Sequence, residues 1–399
     1  MAEPEPAPTP DSARPCVRCK TNPATVKLRA ESTCSTCFQS FTHNKAVKRL
    51  GLLRKELVGP REKRTCKYVA GLSFGASSTA LVQILDENLK YVRARANPNS
   101  PVAYDLVVVH VDTDLRSPAQ ASEGGQTSSP AFQLLQKYRE KFPDLDFRLI
   151  PLSHAFNITS IDWSSLPSTD STLDPQTRMQ SLFDALPSVT SKADILRLLV
   201  RHILLSFAVE NACEGLLLGC TTTALAELTL SEVAKGRGFS VPWQINDGPF
   251  PLPKTTDSGP KSMQLYYPLR DIFRNEIHVY LRLVDPSLAA LVVTNPAASA
   301  DVVSHKDLSI EEAMVRYFES VEEGYPAVVA NVVRTTGRLA RGGASEDGGA
   351  LQGPACGLCG MAVDESGDAR WKGEIGAGPE EESSVGSQLC YGCERSVRG

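Results

Sequence analysis

A chain of 399 residues, 42% hydrophobic and 22% charged, has room for one substantial core with appendages or for two domains, and its composition is that of a globular protein. A formal net charge of −4 excludes a generally basic nucleic-acid-binding protein, so any phosphate contact has to come from a local patch. The longest apolar runs, such as Leu106-Val-Val-Val-His-Val111, are strand-sized and far short of the roughly 20 residues that cross a bilayer, so no membrane partner is expected.

Residues 1–15 are acidic and proline-rich and are expected to form a disordered tail; they lack the basic and apolar regions of a secretory signal. Eight of the eleven cysteines then fall into four Cys-x-x-Cys pairs, two near each end of the chain. Paired cysteines without a secretory signal point to a reducing, cytoplasmic compartment, where thiolates hold metal rather than form disulfides. Cys16, Cys19, Cys34 and Cys37 follow the spacing C-x2-C-x14-C-x2-C. Two such knuckles supply the four soft ligands that tetrahedral zinc prefers, so residues 16–40 are predicted to be a zinc module rather than a set of redox thiols.

Residues 41–66 are expected to be a basic helical arm, because Phe38, Phe41, Val47, Leu50 and Leu53 recur with helical spacing. Lys45, Lys48, Arg49, Arg54, Lys55, Arg61, Lys63, Arg64 and Lys67 face only Glu56 and Glu62 there. Such a stretch is either a phosphate-contacting device or a solvated linker face.

From 67 to 341 the pattern becomes that of an α/β core. Lys67–Ser73 reads as a strand, Ser73–Ser78 as a small-residue loop, and the following stretch through Leu81, Val82, Ile84 and Leu85 as a helix. Strands are predicted at 106–111, 147–151, 215–219 and 265–269, and helices at 132–142, 191–210, 222–234 and 271–283. A Ser/Thr/Pro-rich stretch at 157–189 reads as an irregular insertion, and 309–341 as a closing helix pair. Buried continuous strands alternating with amphipathic helices predict a parallel sheet covered on both faces, with ligands at the carboxyl ends of its strands. Residues 342–355 read as a flexible linker and 356–393 as a second zinc module carrying Cys356, Cys359, Cys390 and Cys393. Thirty Gly/Ser/Glu-rich residues separate Cys359 from Cys390, so either a ribbon with a long finger loop forms, or pairs from the two ends share ions.

No Walker-type Gly-x4-Gly-Lys-[Ser/Thr] occurs after the first strand, which excludes a P-loop NTPase. The loop Ser73-Phe-Gly-Ala-Ser-Ser78 is nonetheless placed like an anion site, though a tight strand–helix turn needs small residues in any case. At these residues the chain resembles the family of second subunits of the cytoplasmic tRNA 2-thiolation complex, within the PP-loop ATP pyrophosphatase superfamily. The resemblance covers most of the chain. Active superfamily members carry Ser-Gly-Gly-x-Asp-Ser after the first strand; here Ser73, Gly75 and Ser78 match, while Phe74 and Ser77 replace the first glycine and the aspartate. Active thiolases of this branch carry Gly-His-Asn-x-Asp-Asp after the fourth strand; here only Gly219 matches, followed by Cys220, Thr221, Thr222, Thr223 and Ala224. Lys235-Gly-Arg-Gly238 and Tyr267-Pro-Leu-Arg-Asp271 lie where the family has a Gly-Arg-Gly turn and a Pro-Leu-Arg segment, and on this resemblance Arg237 joins the expected tRNA contacts.

The resemblance implies a PP-loop-like fold and a role in placing the 2-thio group on wobble uridine U34 of the tRNAs for Lys, Glu and Gln, giving 5-methoxycarbonylmethyl-2-thiouridine. It implies sulfur from a thiocarboxylated ubiquitin-like carrier of the kind that also serves protein urmylation. It further implies a heterodimer with a catalytic PP-loop thiolase subunit that uses ATP and Mg²⁺. Without carboxylates at Ser77, Thr223 and Ala224, little is left in this chain to hold Mg²⁺ on ATP. Between Cys66 and Cys213 there is no cysteine, and Cys66, Cys213 and Cys220 are expected to be packing residues. The chain therefore reads as a non-catalytic subunit carrying two zinc ions and a degenerate nucleotide-binding loop (Ser73, Gly75, Ser77, Ser78, Gly219). Two rival readings are an ATP pyrophosphatase active in its own right and a zinc-ribbon scaffold that binds no RNA.

Overall fold

The β-branched runs of the sequence form the middle of a six-stranded sheet in the computed structural model, which describes residues 14–59, 64–97, 102–115, 129–252, 262–293, 308–341, 354–363 and 389–399. A short antiparallel hairpin, β1 (Val26–Leu28) and β2 (Glu31–Thr33), precedes α1 (Ser35–Val58). Then follow β3 (Cys66–Gly71), α2 (Ala76–Ala94), β4 (Tyr104–Asp112), α3 (Pro130–Lys141) and β5 (Asp146–Pro151). The chain continues through α4 (Pro175–Asp184), α5 (Val189–Glu210), β6 (Gly215–Leu217), α6 (Thr222–Ala234), α7 (Val241–Ile245), β7 (Gly248–Pro251) and β8 (Ser262–Tyr266). It ends with α8 (Arg274–Val284), α9 (Ile310–Gly324), α10 (Pro326–Thr336) and α11 (Tyr391–Arg398).

The strand order is β5-β4-β3-β6-β8-β7, parallel at every pairing except β7 with β8. Alternation along β3 and β4 sends Val69, Val107, Val109 and Val111 to one face and Tyr68, Ala70, Leu106 and Val108 to the other. Both faces are buried, the first under α4 and α5 and the second under α1, α2, α3 and α8, as a parallel sheet requires. The order reverses between β3 and β6, so the loops following these two strands flank the crevice where open α/β sheets bind ligands.

Three sequence expectations change. The stretch 157–189 is packed structure rather than an irregular insertion: Asp174 caps α4 by accepting from the Gln176 and Thr177 amides, and Met179, Leu182 and Phe183 enter the core beside Ile158, Ile161 and Leu166. The fifth parallel strand is Ser262–Tyr266, and an additional strand, β7, caps the sheet edge with Pro249 and Pro251, residues tolerated where one side of the ladder is unpaired. The basic arm and the first cysteine module are joined by one uninterrupted helix, since α1 starts between Cys34 and Cys37. The expected tail and linker fall largely on residues 1–13 and 342–353, outside the described residues.

Candidate functional site

Both cysteine sets use one local design: a tight turn presents the first pair, and the second pair sits at a helix N-terminus, whose partial positive charge favours thiolate. In the N-terminal set, Cys16 and Cys19 occupy a turn closed by Lys20 N–H donating to the Cys16 carbonyl at 2.8 Å, with Lys20 in the left-handed region. Cys34 is the N-cap of α1 and Cys37 lies in its first turn. The four Sγ atoms lie within 4.8 Å of one another, and Cys19 and Cys34 are 3.8 Å apart. Zinc–thiolate bonds of about 2.3 Å in a tetrahedron put sulfurs about 3.8 Å apart, so the donor set fits such an ion. The Thr21 hydroxyl and the Asn22 and Thr21 backbone hold the Cys19 thiol down at about 5, whereas its hydrogen bond with Cys34 pushes Cys37 up to about 12. Four sulfurs this close ionise together only around a cation.

The C-terminal set is buried to a far greater degree, with none of Cys356, Cys359, Cys390 and Cys393 more than 2% exposed. Cys359 and Cys390 are 3.7 Å apart, and the Cys390 amide donates to Cys356 Sγ at 3.3 Å. The two sets lie on opposite faces of the sheet, each complete in itself, so the pairs from the two ends are not mixed. The core grips this module through its backbone: His202 Nε2 donates to the Leu358 carbonyl at 2.7 Å and Arg201 to the Cys359 carbonyl at 3.0 Å.

Arg237 completes that grip. Its side chain is fully buried, donates to Cys393 Sγ at 3.6 Å and to Glu232 at 3.0 Å, and pairs with Asp194. Burial alone pushes the Asp194 carboxyl up, but Arg237, Arg197 and Lys235 outweigh it and hold the group well below the usual carboxylate range. The glycines of this turn serve the same contact. A Cβ on Gly236, whose φ is +80°, would stand 2.5 Å from the Tyr391 ring, and one on Gly392 would stand 2.4 Å from Arg237 Cγ. The Lys235–Gly238 turn is thus a socket for the C-terminal knuckle, and the expectation that Arg237 contacts tRNA is corrected: its guanidinium has no path to solvent.

At the switch point the loop after β3 is closed by its own side chains. Ser73 Oγ and Ser78 Oγ are 3.2 Å apart, Ser78 Oγ donates to the Gly75 carbonyl at 3.0 Å, and Gly75 is the N-cap of α2. Phe74 holds a φ of +60°, the conformation a glycine adopts without strain. Its ring stacks 3.9 Å from His110 and is buried. On the facing loop a Cβ on Gly219 would stand 2.9 Å from Ser78 Cα and 3.0 Å from the Ser77 carbonyl oxygen, so the two loops touch through backbone. Thr221 caps α6, and Thr223 is buried, donating to Glu322 on α9 and accepting from the Arg274 amide at 3.1 Å. Burial pushes the Cys66 and Cys213 thiols up, and Cys220 up to about 12.

The residues expected to meet tRNA divide. Lys48 and Lys55 are exposed on α1, and Lys45 is half-buried. Arg49 pairs with Asp247 at 2.7 Å and Asp271 at 2.8 Å; Arg64 pairs with Glu214 at 2.6 Å. Arg54 donates to the Ala103 and Arg64 carbonyls and Lys67 to that of Asn211, so both brace the core. Arg61 and Lys63 lie outside the described residues. Sequence reasoning missed Arg29, Arg270, Arg334 and Arg338, which share a cleft with Lys45 and Arg49. Only the Pro-Leu-Arg segment carried a local signal for any of them. Among the described residues, no helix is long and apolar enough to cross a membrane.

Comparison with known proteins adds three findings. The family model described as cytoplasmic tRNA 2-thiolation protein 2 matches residues 309–385. Proteins of that name from Phaeosphaeria nodorum and Sclerotinia sclerotiorum are similar to this chain. The first is 36% identical over 391 residues, 96% of this chain and 94% of the relative; the second is 39% identical over 324 residues, 79% and 80%. Among solved structures, the U34-tRNA thiolase NcsA from Methanococcus maripaludis with its [4Fe-4S] cluster shares the fold, with a TM-score of 0.52 at 16% identity, covering 92% of this chain and 99% of that one.

Proposed function

The chain belongs to the cytoplasmic tRNA 2-thiolation protein 2 family, and from that premise we propose that it is a non-catalytic subunit of the complex that 2-thiolates U34 of the tRNAs for Lys, Glu and Gln in the cytoplasm. Sulfur comes from a thiocarboxylated ubiquitin-like carrier. ATP and Mg²⁺ are used by a catalytic PP-loop partner with which this chain forms a heterodimer, and this chain contributes to holding the tRNA. The observation that carries the reading is a complete sheet whose switch-point loops satisfy themselves: hydroxyls and a methyl stand at Ser77, Thr223 and Ala224, and the Ser73 and Ser78 hydroxyls bond each other. Cys220, the thiol nearest those loops in sequence, is held protonated by burial and is a poor sulfur nucleophile. Zinc is the ion both cysteine sets suit, and in an all-thiolate site it supplies a cross-link, not an open coordination position for chemistry.

Nucleoside mass spectrometry of tRNA tests this. Cells lacking the chain should lose wobble 2-thiouridine, while the isolated chain should neither release pyrophosphate from ATP nor thiolate tRNA, with or without Ser77→Asp. Cys220→Ser should leave the modification intact. Normal 2-thiouridine in the deletion would refute the pathway, and its loss in Cys220→Ser at preserved protein level would restore a catalytic role.

A further inference from the structure

Four cations missed in the sequence join two of the expected ones at the carboxyl end of the sheet. Arg29 from the β1–β2 turn, Lys45 and Arg49 from α1, Arg270 from the loop after β8, and Arg334 and Arg338 from the end of α10 line one cleft of about 360 Å³. Three carboxylates answer these six cations: Glu276 on Arg29 at 2.9 Å, Asp271 on Arg49 at 2.8 Å, and Asp247 between Arg49 at 2.7 Å and Arg270 at 3.5 Å. Among the described residues, Lys45 hydrogen-bonds the Asp271 carbonyl and lies over the Phe41 ring, Arg334 hydrogen-bonds the side chain of Asn331, and Arg338 makes no side-chain hydrogen bond; none of the three has a carboxylate partner within ion-pair distance. In a chain of net charge −4, this surplus is local.

We propose that this cleft binds the phosphodiester backbone of RNA, the tRNA of the reading above, on which this inference rests. Two features favour a polymeric phosphate over a single small anion. A second groove, lined by Arg18, Lys45 and Lys48 beside the N-terminal cysteine set, shares Lys45 with the first. Together they make a basic track from the metal module to α10, longer than one phosphate group needs. Finally, the donors come from four separate elements and include guanidiniums, whose forked geometry suits phosphate oxygens. Lys45 itself is held below the usual lysine range by burial and by Arg29, crowding that an incoming anion relieves.

The test is binding of fluorescein-labelled tRNA to the full chain, followed by anisotropy across a salt series from about 50 to 200 mM. The Arg334→Ala/Arg338→Ala double variant changes only exposed side chains, so the fold should be kept. Its affinity should fall about tenfold, and the slope of log affinity against log salt should shrink by about 1.5, from two lost phosphate contacts. Arg148→Ala, on strand β5 at the opposite edge of the sheet, should change neither quantity. Wild-type binding with an unchanged double variant overturns the cleft while leaving the tRNA reading in place. Wild-type protein that fails to bind tRNA even at low salt overturns both.

Discussion

Replacing Arg237 with Met removes a buried cation from between Asp194 and Glu232, all three 0% exposed, and removes the donor to Cys393 Sγ. Breaking a buried ion pair by deleting one partner costs about 3–5 kcal/mol, because the other charge stays behind in a medium that solvates it poorly. Lys235 and Arg197 still reach both carboxylates, at 2.7 to 3.3 Å, so the low end, about 3 kcal/mol, is expected. With an unfolding entropy of about 2.1 cal/mol/K per residue over about 300 ordered residues, that translates to a drop in Tm of about 4–5 °C. The C-terminal ion should also be released to a competing chelator about 10- to 100-fold more readily, as is usual when a hydrogen bond to a metal ligand is lost. Arg237→Lys keeps the charge but not the fork, and should fall between wild type and Arg237→Met on both readouts. Differential scanning calorimetry and chelator titration with zinc quantitation measure the two effects. Unchanged Tm and ion retention would refute the socket argument, and loss of tRNA binding at full stability would return Arg237 to the RNA surface.

Elemental analysis should find two metal ions per chain. Cys34→Ser should lose one ion and loosen residues 16–37 while the α/β signal in circular dichroism persists; Cys390→Ser should lose the other and lower the Tm of the core, because its thiols are core residues. Loss of both ions in either variant would contradict two independent sets. Burial, partly offset by Arg274, pushes the Glu227 carboxyl up to about 7 from an ordinary 4.5. The native state therefore binds this proton more tightly than the unfolded chain, and the contribution is fully present below about pH 4.5 and lost as pH rises through about 7. Glu227→Gln should match wild type in the unfolding free energy from urea titration near the acid end and exceed it by on the order of 2–3 kcal/mol at alkaline pH. A gap that does not change with pH would show that folding leaves the proton affinity of Glu227 unshifted.

Much of the fold was legible because its signals are local. Val107, Val108 and Val109 in one run mark a strand buried on both faces, and Thr221 before an apolar stretch marks the start of α6. The elements that escaped are those whose composition argues against them. Pro249 and Pro251 hide β7, which is possible only because it pairs on one side, and the Ser/Thr/Pro content around α4 masks the spacing of Met179, Leu182 and Phe183. The cysteine ligands follow from spacing, yet which pairs belong together depends on the sheet lying between the two ends. Arg237 was misread because a Gly-Arg-Gly turn looks the same whether its glycines admit a phosphate or, as here, the ring of Tyr391. The cleft was illegible for a plainer reason: residues 29, 45, 49, 270, 334 and 338 become neighbours only once α1 and α10 are placed beside β8.

The socket at Lys235–Gly238 has a consequence for synthesis. Arg237 waits for Cys393, 156 residues further along the chain, and Asp194 waits for Ser396, 202 residues further. At about 5–20 residues per second, a ribosome makes the Arg237 partner on the order of ten to thirty seconds after Arg237 itself. Throughout that interval the nascent sheet carries an open slot of charged groups and small residues on the face where α5 and α6 meet. A nonsense or frameshift product ending before residue 390 would keep that slot permanently, with Tyr391 and Gly392 missing from it. Such a molecule displays its own incompleteness far from the site of the lesion, as a surface that chaperones and proteases can recognise, and loss of residues 390–396 should lower its abundance in the cell as effectively as damage to the sheet.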